Sequence, residues 1–152
     1  MTAVFCVLIT GSRDLTDPEP VYATLDDCLA FALSEGYTLL CVRHGHCPGG
    51  ADKFADDWGR TMERNGYPVM VDAHPAQDHP TQDFGPWPGA GPRRNDYMVG
   101  LGAHECHAFV GPCTSPRCRR PGLHGSHGAS GCADLAEKAG IDTHRVELWK
   151  ES

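Results

Sequence analysis

Apolar residues alternate along this chain between continuous short runs and a helical spacing. Val4 to Thr10 is an apolar run that stops at Gly11-Ser12-Arg13. Runs of that kind suit strands covered on both faces of a parallel sheet. Val21, Leu25, Cys28, Leu29 and Ala32 then recur at helical spacing. Asp17-Pro18 opens this helix, with Asp17 as N-cap and Pro18 at the first helical position, and Gly36 closes it as a left-handed cap. Thr38 to Val42 reads as a second buried strand. A second helix runs from about Ala51 to Arg64, with Phe54, Ala55, Trp58 and Met62 on its apolar face, and stops at Asn65-Gly66. Tyr67 to Val71 is the third strand, Arg93 to Leu101 a short helix and Glu105 to Val110 the fourth strand. Ala129 to Ala139 is an Ala-rich helix ending at Gly140, and Thr143 to Trp149 is a last strand in which Val146 and Leu148 alternate with polar neighbours.

Strands and helices in strict alternation predict an α/β fold: a Rossmann-like, doubly wound, mostly parallel five-stranded sheet with helices on both faces. We expect one domain over residues 1–152, broken by irregular insertions at about 72–92 and 111–125. In such sheets ligands sit at the carboxyl ends of the strands, near the point where the strand order reverses. Four loops land there: Gly11 to Arg13, His44 to Asp52, Asp72 to Asn95 and Gly111 to Gly128.

Composition narrows the function. With 152 residues, 40% apolar and 22% charged, the chain is an ordinary soluble globular sequence. Thirteen Lys and Arg against twenty Asp and Glu give a net charge of −7. That charge repels phosphate backbones and anionic lipid, so no extended nucleic acid and no membrane surface is expected as partner, while a local basic pocket is allowed. No run of about 18 apolar residues is present. The first ten residues lack a basic leader and a small-residue cleavage site, and read as a strand and not a signal peptide. Cys6, Cys41 and Cys106 fall in predicted strands and Cys28 in a helix, where cysteine acts as a small core hydrophobe in a reducing cytosol. We therefore expect a cytoplasmic protein without a disulfide framework.

Three loops place glycines directly before a helix, where backbone N–H groups and the helix dipole favour an anion. Gly49 and Gly50 would allow close approach, and Asp52 would either cap its helix or hold a ribose hydroxyl. Arg93-Arg94-Asn95 opens a helix, and cations there oppose the dipole unless an anion sits nearby. The fingerprint G-x-G-x-x-G is absent after the first strand, as is G-x-x-x-x-G-K-[ST], so neither an NAD or flavin enzyme of the usual kind nor a P-loop ATPase is expected.

Taken together, Gly11-Ser12-Arg13, Gly45…Gly49-Gly50-Ala51-Asp52, Arg94-Asn95-x-x-Met98 and Gly125-Ser126-His127-Gly128-Ala129 resemble the SLOG superfamily of Rossmann-like nucleotide-binding proteins, and most closely its YspA-like branch. The resemblance spans about Ala3 to Val146. It implies binding of a nucleotide or nucleotide-derived small molecule by Gly11, Ser12, Arg13, Gly49, Gly50, Asp52, Arg94, Asn95, Ser126, His127 and Gly128. Phosphate would go to Arg94 and backbone amides, and a ribose hydroxyl to Asp52. Among the relatives are LOG-type phosphoribohydrolases, whose last motif is P-G-G-x-G-T-x-x-E preceded by R-K-x-x-M. Arg94 and Met98 match the second motif, with Asn95 in place of Lys. Where the catalytic Glu follows in those enzymes, this chain has Gly131-Cys132, which favours a sensor over a hydrolase; Asp134 is a weak substitute. SLOG relatives commonly dimerise, so a homodimer is a further expectation.

Cys113-x4-Cys118-x5-His124-x2-His127 supplies two thiolates and two imidazoles, the ligand set of a tetrahedral Zn²⁺, in a segment without a core of its own. Cys132 and Cys47 are alternative ligands. Zinc would order the loop, and Arg117, Arg119 and Arg120 would form a basic lip. His127 faces a conflict between zinc and phosphate. His74, His79, Asp78 and Asp83 invite a second metal reading. Trp87, between Pro86 and Pro88, either stacks on a base or packs over the core. Two alternatives to a nucleotide sensor remain: an N-glycosidic hydrolase of nucleoside 5′-monophosphates, and a zinc-stapled partner-binding module.

Overall fold

The computed structural model of the chain describes residues 2–120, 122 and 124–148. Five strands form one sheet: β1 (Val4–Gly11), β2 (Leu39–His44), β3 (Val69–Ala73), β4 (Glu105–Val110) and β5 (Asp142–Glu147). All four pairings are parallel and the order is β3-β2-β1-β4-β5. The connecting helices are α1 (Glu19–Ser34), α2 (Gly50–Arg64), α3 (Ala90–Gly100) and α4 (His127–Lys138). The expected Rossmann-like α/β architecture is the one observed, and among the described residues every strand of the sheet runs parallel to its neighbours.

The alternation of β1 explains its unbroken apolar run. Phe5, Val7 and Ile9 pack with Val21, Leu25 and Leu29 of α1 and Ala55 and Trp58 of α2, whereas Leu8 packs with Met98 and Val99 of α3 and Cys132 and Ala136 of α4. Both faces of the strand are therefore covered, and Thr10, next to the cleft, is its one polar side chain. Ala108, Val110, Ala129 and Ala133 form a smaller cluster where α4 lies on β4; their small side chains let helix and strand approach closely.

Several boundaries differ from the sequence reading for identifiable reasons. The α1 cap position is Pro18, and Asp17 instead bonds the Glu19 N–H through Oδ1 at 3.1 Å. Gly36 has φ +88°, as a left-handed cap requires. β2 and β3 run on through His44 and Ala73, which pair in register despite their polar surroundings. The α3 helix begins at Ala90, three residues before Arg93. Its first turn contains Gly91 and Pro92, and proline is at home there because that turn has no N–H partner to lose. β5 ends at Glu147; Trp149, where that strand was expected to stop, lies outside the described residues, as do Pro121 and Leu123 of the second insertion. No helix among the described residues is long and apolar enough to cross a membrane.

Candidate ligand cleft and metal centre

β1 and β4 are neighbours in space although β2 and β3 come between them in the chain. The chain leaves them toward helices on opposite faces, which opens a crevice at their carboxyl ends. A cleft of about 940 Å³ lies there. Its walls include Gly11, Ser12, Arg13, Asp52, Arg94, Asn95, Ser126, His127 and Gly128, drawn from all four loops. Gly49 and Gly50 do not line it.

The reason is packing. Gly50 has φ +70°, and a Cβ there would collide with the Ser12 carbonyl oxygen; one on Gly49 would sit 2.9 Å from the Arg13 carbonyl oxygen. The glycine pair is thus committed to seating α2 against the β1–α1 turn, not to approaching a ligand. Asp52 follows in the first turn of α2, where it is 5% exposed and accepts the Cys47 N–H at 3.3 Å while lining the cleft. Cys47 also lines the cleft. Burial, reinforced by Asp52, pushes its thiol upward from the ordinary value against the pull of Arg94 and Arg13, so it is no ready thiolate nucleophile.

Two serines lock the opposite wall. Ser12 Oγ accepts the Gly111 N–H at 2.8 Å and lies 2.5 Å from Ser126 Oγ. The Ser126 N–H in turn donates to Gly111 O at 2.9 Å. This ladder fixes β1, β4 and the start of α4 relative to one another. Ser126 is the N-cap of α4 but makes no side-chain bond to the helix. The first-turn N–H groups of α4 have no intrahelical acceptors, and Gly128 and Ala129 of that turn border the cleft.

Charge is concentrated here. Five of the chain's thirteen Lys and Arg, namely Arg13, Arg94, Arg117, Arg119 and Arg120, line the cleft beside only two carboxylates, Asp14 and Asp52. Among the described residues none of the five makes a salt bridge, whereas Arg43, Lys53, Arg60 and Arg145 all do. Arg94 is 5% exposed; Nη1 donates to Gly45 O (2.5 Å) and His74 O (3.3 Å), and Nε donates to Asn95 Oδ1 (2.8 Å). A Cβ on Gly45 would strike this guanidinium, so any side chain there would have to displace Arg94. Arg93, by contrast, is tied to the carbonyls of Phe84 and Pro86. The expectation that both arginines open α3 is therefore corrected: they are its fourth and fifth residues, one bracing the loop before the helix and one buried under the cleft.

Trp87 is 49% exposed, and Arg13 Cζ lies 5.1 Å from the centroid of its ring. It is a cleft wall and not a core residue. Three of the four residues proposed as a second metal set, His74, His79 and Asp83, are bound up in the loop's own folding. His79 Nδ1 accepts the N–H groups of Thr81 and Gln82, Asp83 accepts that of Gly85, and His74 Nδ1 meets Gln82 Oε1. They form no metal-sized group among the described residues.

Cys113, Cys118, His124 and His127 do come together, one ligand atom from each within 4.8 Å of the others. Cys118 Sγ is 3.3 Å from His124 Nε2 and 3.3 Å from His127 Nε2. His124 Nδ1 lies 2.9 Å from Gly122 O. A proton on that nitrogen leaves the Nε2 lone pair aimed at the cluster, the arrangement metal-bound histidines use. An antiparallel bridge, Pro112 to Gly125, and the Cys113 N–H to His124 O bond close the base of this loop. Its far end carries Arg117, Arg119 and Arg120 over the cleft. His127 turns its Nε2 to Cys118 and at the same time borders the cleft. Cys132 and Cys47 lie outside the group; burial pushes the Cys132 thiol up to about 11.

Gly131 and Cys132 stand where the hydrolase Glu was sought, and Cys132 is fully buried. Asp134 pairs with Arg145 at 2.6 Å on the β5 side and is not among the residues that line the cleft. The sequence reading missed Asp14, whose Oδ2 holds Thr114 Oγ1 at 3.0 Å and so ties the β1–α1 turn to the arginine loop. The only available signal was its place immediately after Arg13.

Two comparisons bear on this geometry. The family model described as YspA, cpYpsA-related SLOG family matches residues 5–77, the segment from β1 to just past β3. The Gene 61 protein of Mycobacterium phage D29 is 36% identical over 137 residues, covering 89% of this chain and 90% of its own length.

Proposed function

We propose, for a chain that belongs to the YspA, cpYpsA-related SLOG family, that the arginine-lined cleft binds a nucleotide or nucleotide-derived phosphate ester as a sensor. One observation carries the reading: a chain of net charge −7 gathers around one crevice, at the strand-order reversal, five arginines that have no carboxylate partner among the described residues. Such a cluster is costly unless an anion compensates it. Arg94 and the first-turn amides of α4 receive phosphate, with Arg13 and the loop arginines beside them. Asp52 and Asn95 accept and donate to ribose hydroxyls. Trp87 offers an exposed ring face to a base. Gly11, Gly49 and Gly50 shape this wall, and Ser12 and Ser126 hold the two sides in register.

Cys113, Cys118, His124 and His127 bind Zn²⁺ in the same reading. Two thiolates balance the charge of the ion, and four protein ligands leave no open position. The metal then fixes the loop that carries Arg117, Arg119 and Arg120, and has no step in chemistry. No carboxylate stands at position 131 or 132, where the LOG-type enzymes carry theirs, which disfavours N-glycosidic hydrolysis.

Calorimetric titration with nucleoside mono- and diphosphates, the unphosphorylated nucleosides and inorganic phosphate tests the proposal. Phosphorylated nucleosides bind and nucleosides do not. Arg119→Ala with Arg120→Ala weakens binding by about tenfold or more, since a charge-assisted hydrogen bond contributes roughly 1.5–3 kcal/mol. Release of free base would move the assignment to the hydrolase. Zinc uptake with no nucleotide binding would move it to a partner-binding module.

A further inference from the structure

The side of β4 that faces α1 carries groups a hydrophobic core has no use for. Phe109 buries itself among the α1–α2 residues. Two and four positions earlier on the same face, His107 and Glu105 meet Cys28 of α1 instead. Cys28 Sγ lies 3.6 Å from His107 Nε2 and 3.9 Å from Glu105 Oε1, and those two atoms are 3.1 Å apart. The thiol is buried, and the imidazole and carboxylate are 12% and 23% exposed. Among the described residues Glu105 has no Lys or Arg partner, and Asp142 beside it has only His144, at 3.2 Å. A half-buried carboxylate without a cation is unfavourable, and this one is placed against a thiol and an imidazole.

The spacing is that of a coordination shell. A tetrahedral Zn²⁺ with Zn–S near 2.3 Å and Zn–N and Zn–O near 2.0 Å has ligand edges of about 3.5 Å for S–N and S–O and about 3.3 Å for N–O. Cys28, His107 and Glu105 already form one face of that tetrahedron, long only on the S–O edge. On the solvent side His144 stacks on His107, ring centroids 4.8 Å apart at 11°, and ligand atoms of Glu105, Asp142 and His144 lie within 4.8 Å of one another. A hollow of about 470 Å³ borders Glu105 and Asp142.

We infer that Cys28, Glu105 and His107 form a second metal site, for a borderline-soft divalent cation of the Zn²⁺ class, with its fourth position open toward Asp142 and His144. Binding replaces the Cys28 S–H bond by a metal–sulfur bond, and the proton leaves to solvent. The site sits on the amino-terminal half of β4, at the other end of the sheet from the arginine cleft and its loop cluster, and is independent of both.

Cobalt(II) titration of the chelator-stripped full chain tests it, because a cysteine ligand adds a sulfur-to-cobalt charge-transfer band. The loop variant Cys118→Ser with His124→Gln retains one equivalent per chain and keeps that band. Adding His107→Gln or Glu105→Gln to the loop variant weakens the remaining site by at least about tenfold; both residues are partly exposed, so these changes spare the core. Adding Cys28→Ser removes the band. In the wild-type background His107→Gln lowers the stoichiometry by one. The inference is overturned if the loop variant, with its circular dichroism unchanged, takes up no cobalt. It is equally overturned if the residual binding is indifferent to His107→Gln and Glu105→Gln. A chain whose loop binds nothing would show one equivalent in both wild type and loop variant, so failure of the loop site and of this one are told apart.

Discussion

Gly49-Gly50 before α2 and Gly125-Ser126-His127-Gly128 before α4 look alike along the chain, yet the fold uses them in opposite ways. Gly50 is buried with φ +70°, and its missing side chain is filled by the backbone of Ser12 and Arg13. Around Gly128 nothing lies within 4 Å of where a Cβ would stand. The first loop joins chain to chain; the second leaves its helix amides at the border of the cleft. The closed wall is braced further by Arg43 Nε on Asp72 Oδ2 at 2.7 Å and by Arg94 on the carbonyls of Gly45 and His74. The open wall hangs on the short bridge at Pro112 and Gly125 and on the Cys/His group. Glycine before a helix therefore does not by itself mean a ligand; what occupies its empty side decides.

The largest effect expected from this contrast is that of Gly50→Ala. A left-handed backbone and a collision with a buried carbonyl together cost about 3 kcal/mol or more, read as a fall in the urea midpoint. A variant as stable as the parent would break the comparison. Chelation, or Cys118→Ser, acts on the other wall alone. It lowers the melting temperature and opens residues 112–126 to protease, with β1, β2 and α2 still protected from hydrogen exchange.

A smaller effect concerns acid. Burial disfavours the Asp72 carboxylate, but the hydrogen bonds from Arg43 and His74 outweigh it and hold its ionisation below the usual range. The folded state therefore binds fewer protons than the unfolded chain. The stabilisation is complete above the ordinary Asp value near 4 and is lost as pH falls through the lower folded value. Asp72→Asn flattens that acid limb of the stability curve. The smallest effect is Gly128→Ala, which is neutral or raises stability by up to about 1 kcal/mol, because an open helical glycine gains only propensity. Its sign, opposite to that of Gly50→Ala, sharpens the contrast most directly.

Much of this was legible in the chain. Dry strands announce themselves as unbroken apolar runs, so β1 and β4 were placed within a residue. The boundaries that moved were those written in residues of double meaning. Gly89 to Pro92 reads as a loop because glycine and proline break helices in their middles, but a first turn tolerates both. His44 and Ala73 read as loop because one is polar, yet their backbones still pair. The loop cluster was readable because its two cysteines and two histidines fall within fifteen consecutive residues. Cys28, Glu105 and His107 were not: each looks ordinary on its own element, and 77 residues separate the first two.

The sequence alone determined the alternation of strands and helices, the acidic net charge and the supply of glycines, arginines and ligands, since these depend on local propensity and composition. Only the tertiary structure decided which glycines meet backbone and which meet space, which five arginines share a crevice, and which thiol faces which imidazole. Those are contacts between distant segments, set by parallel register and by which face of the sheet each helix covers, and no local pattern encodes them.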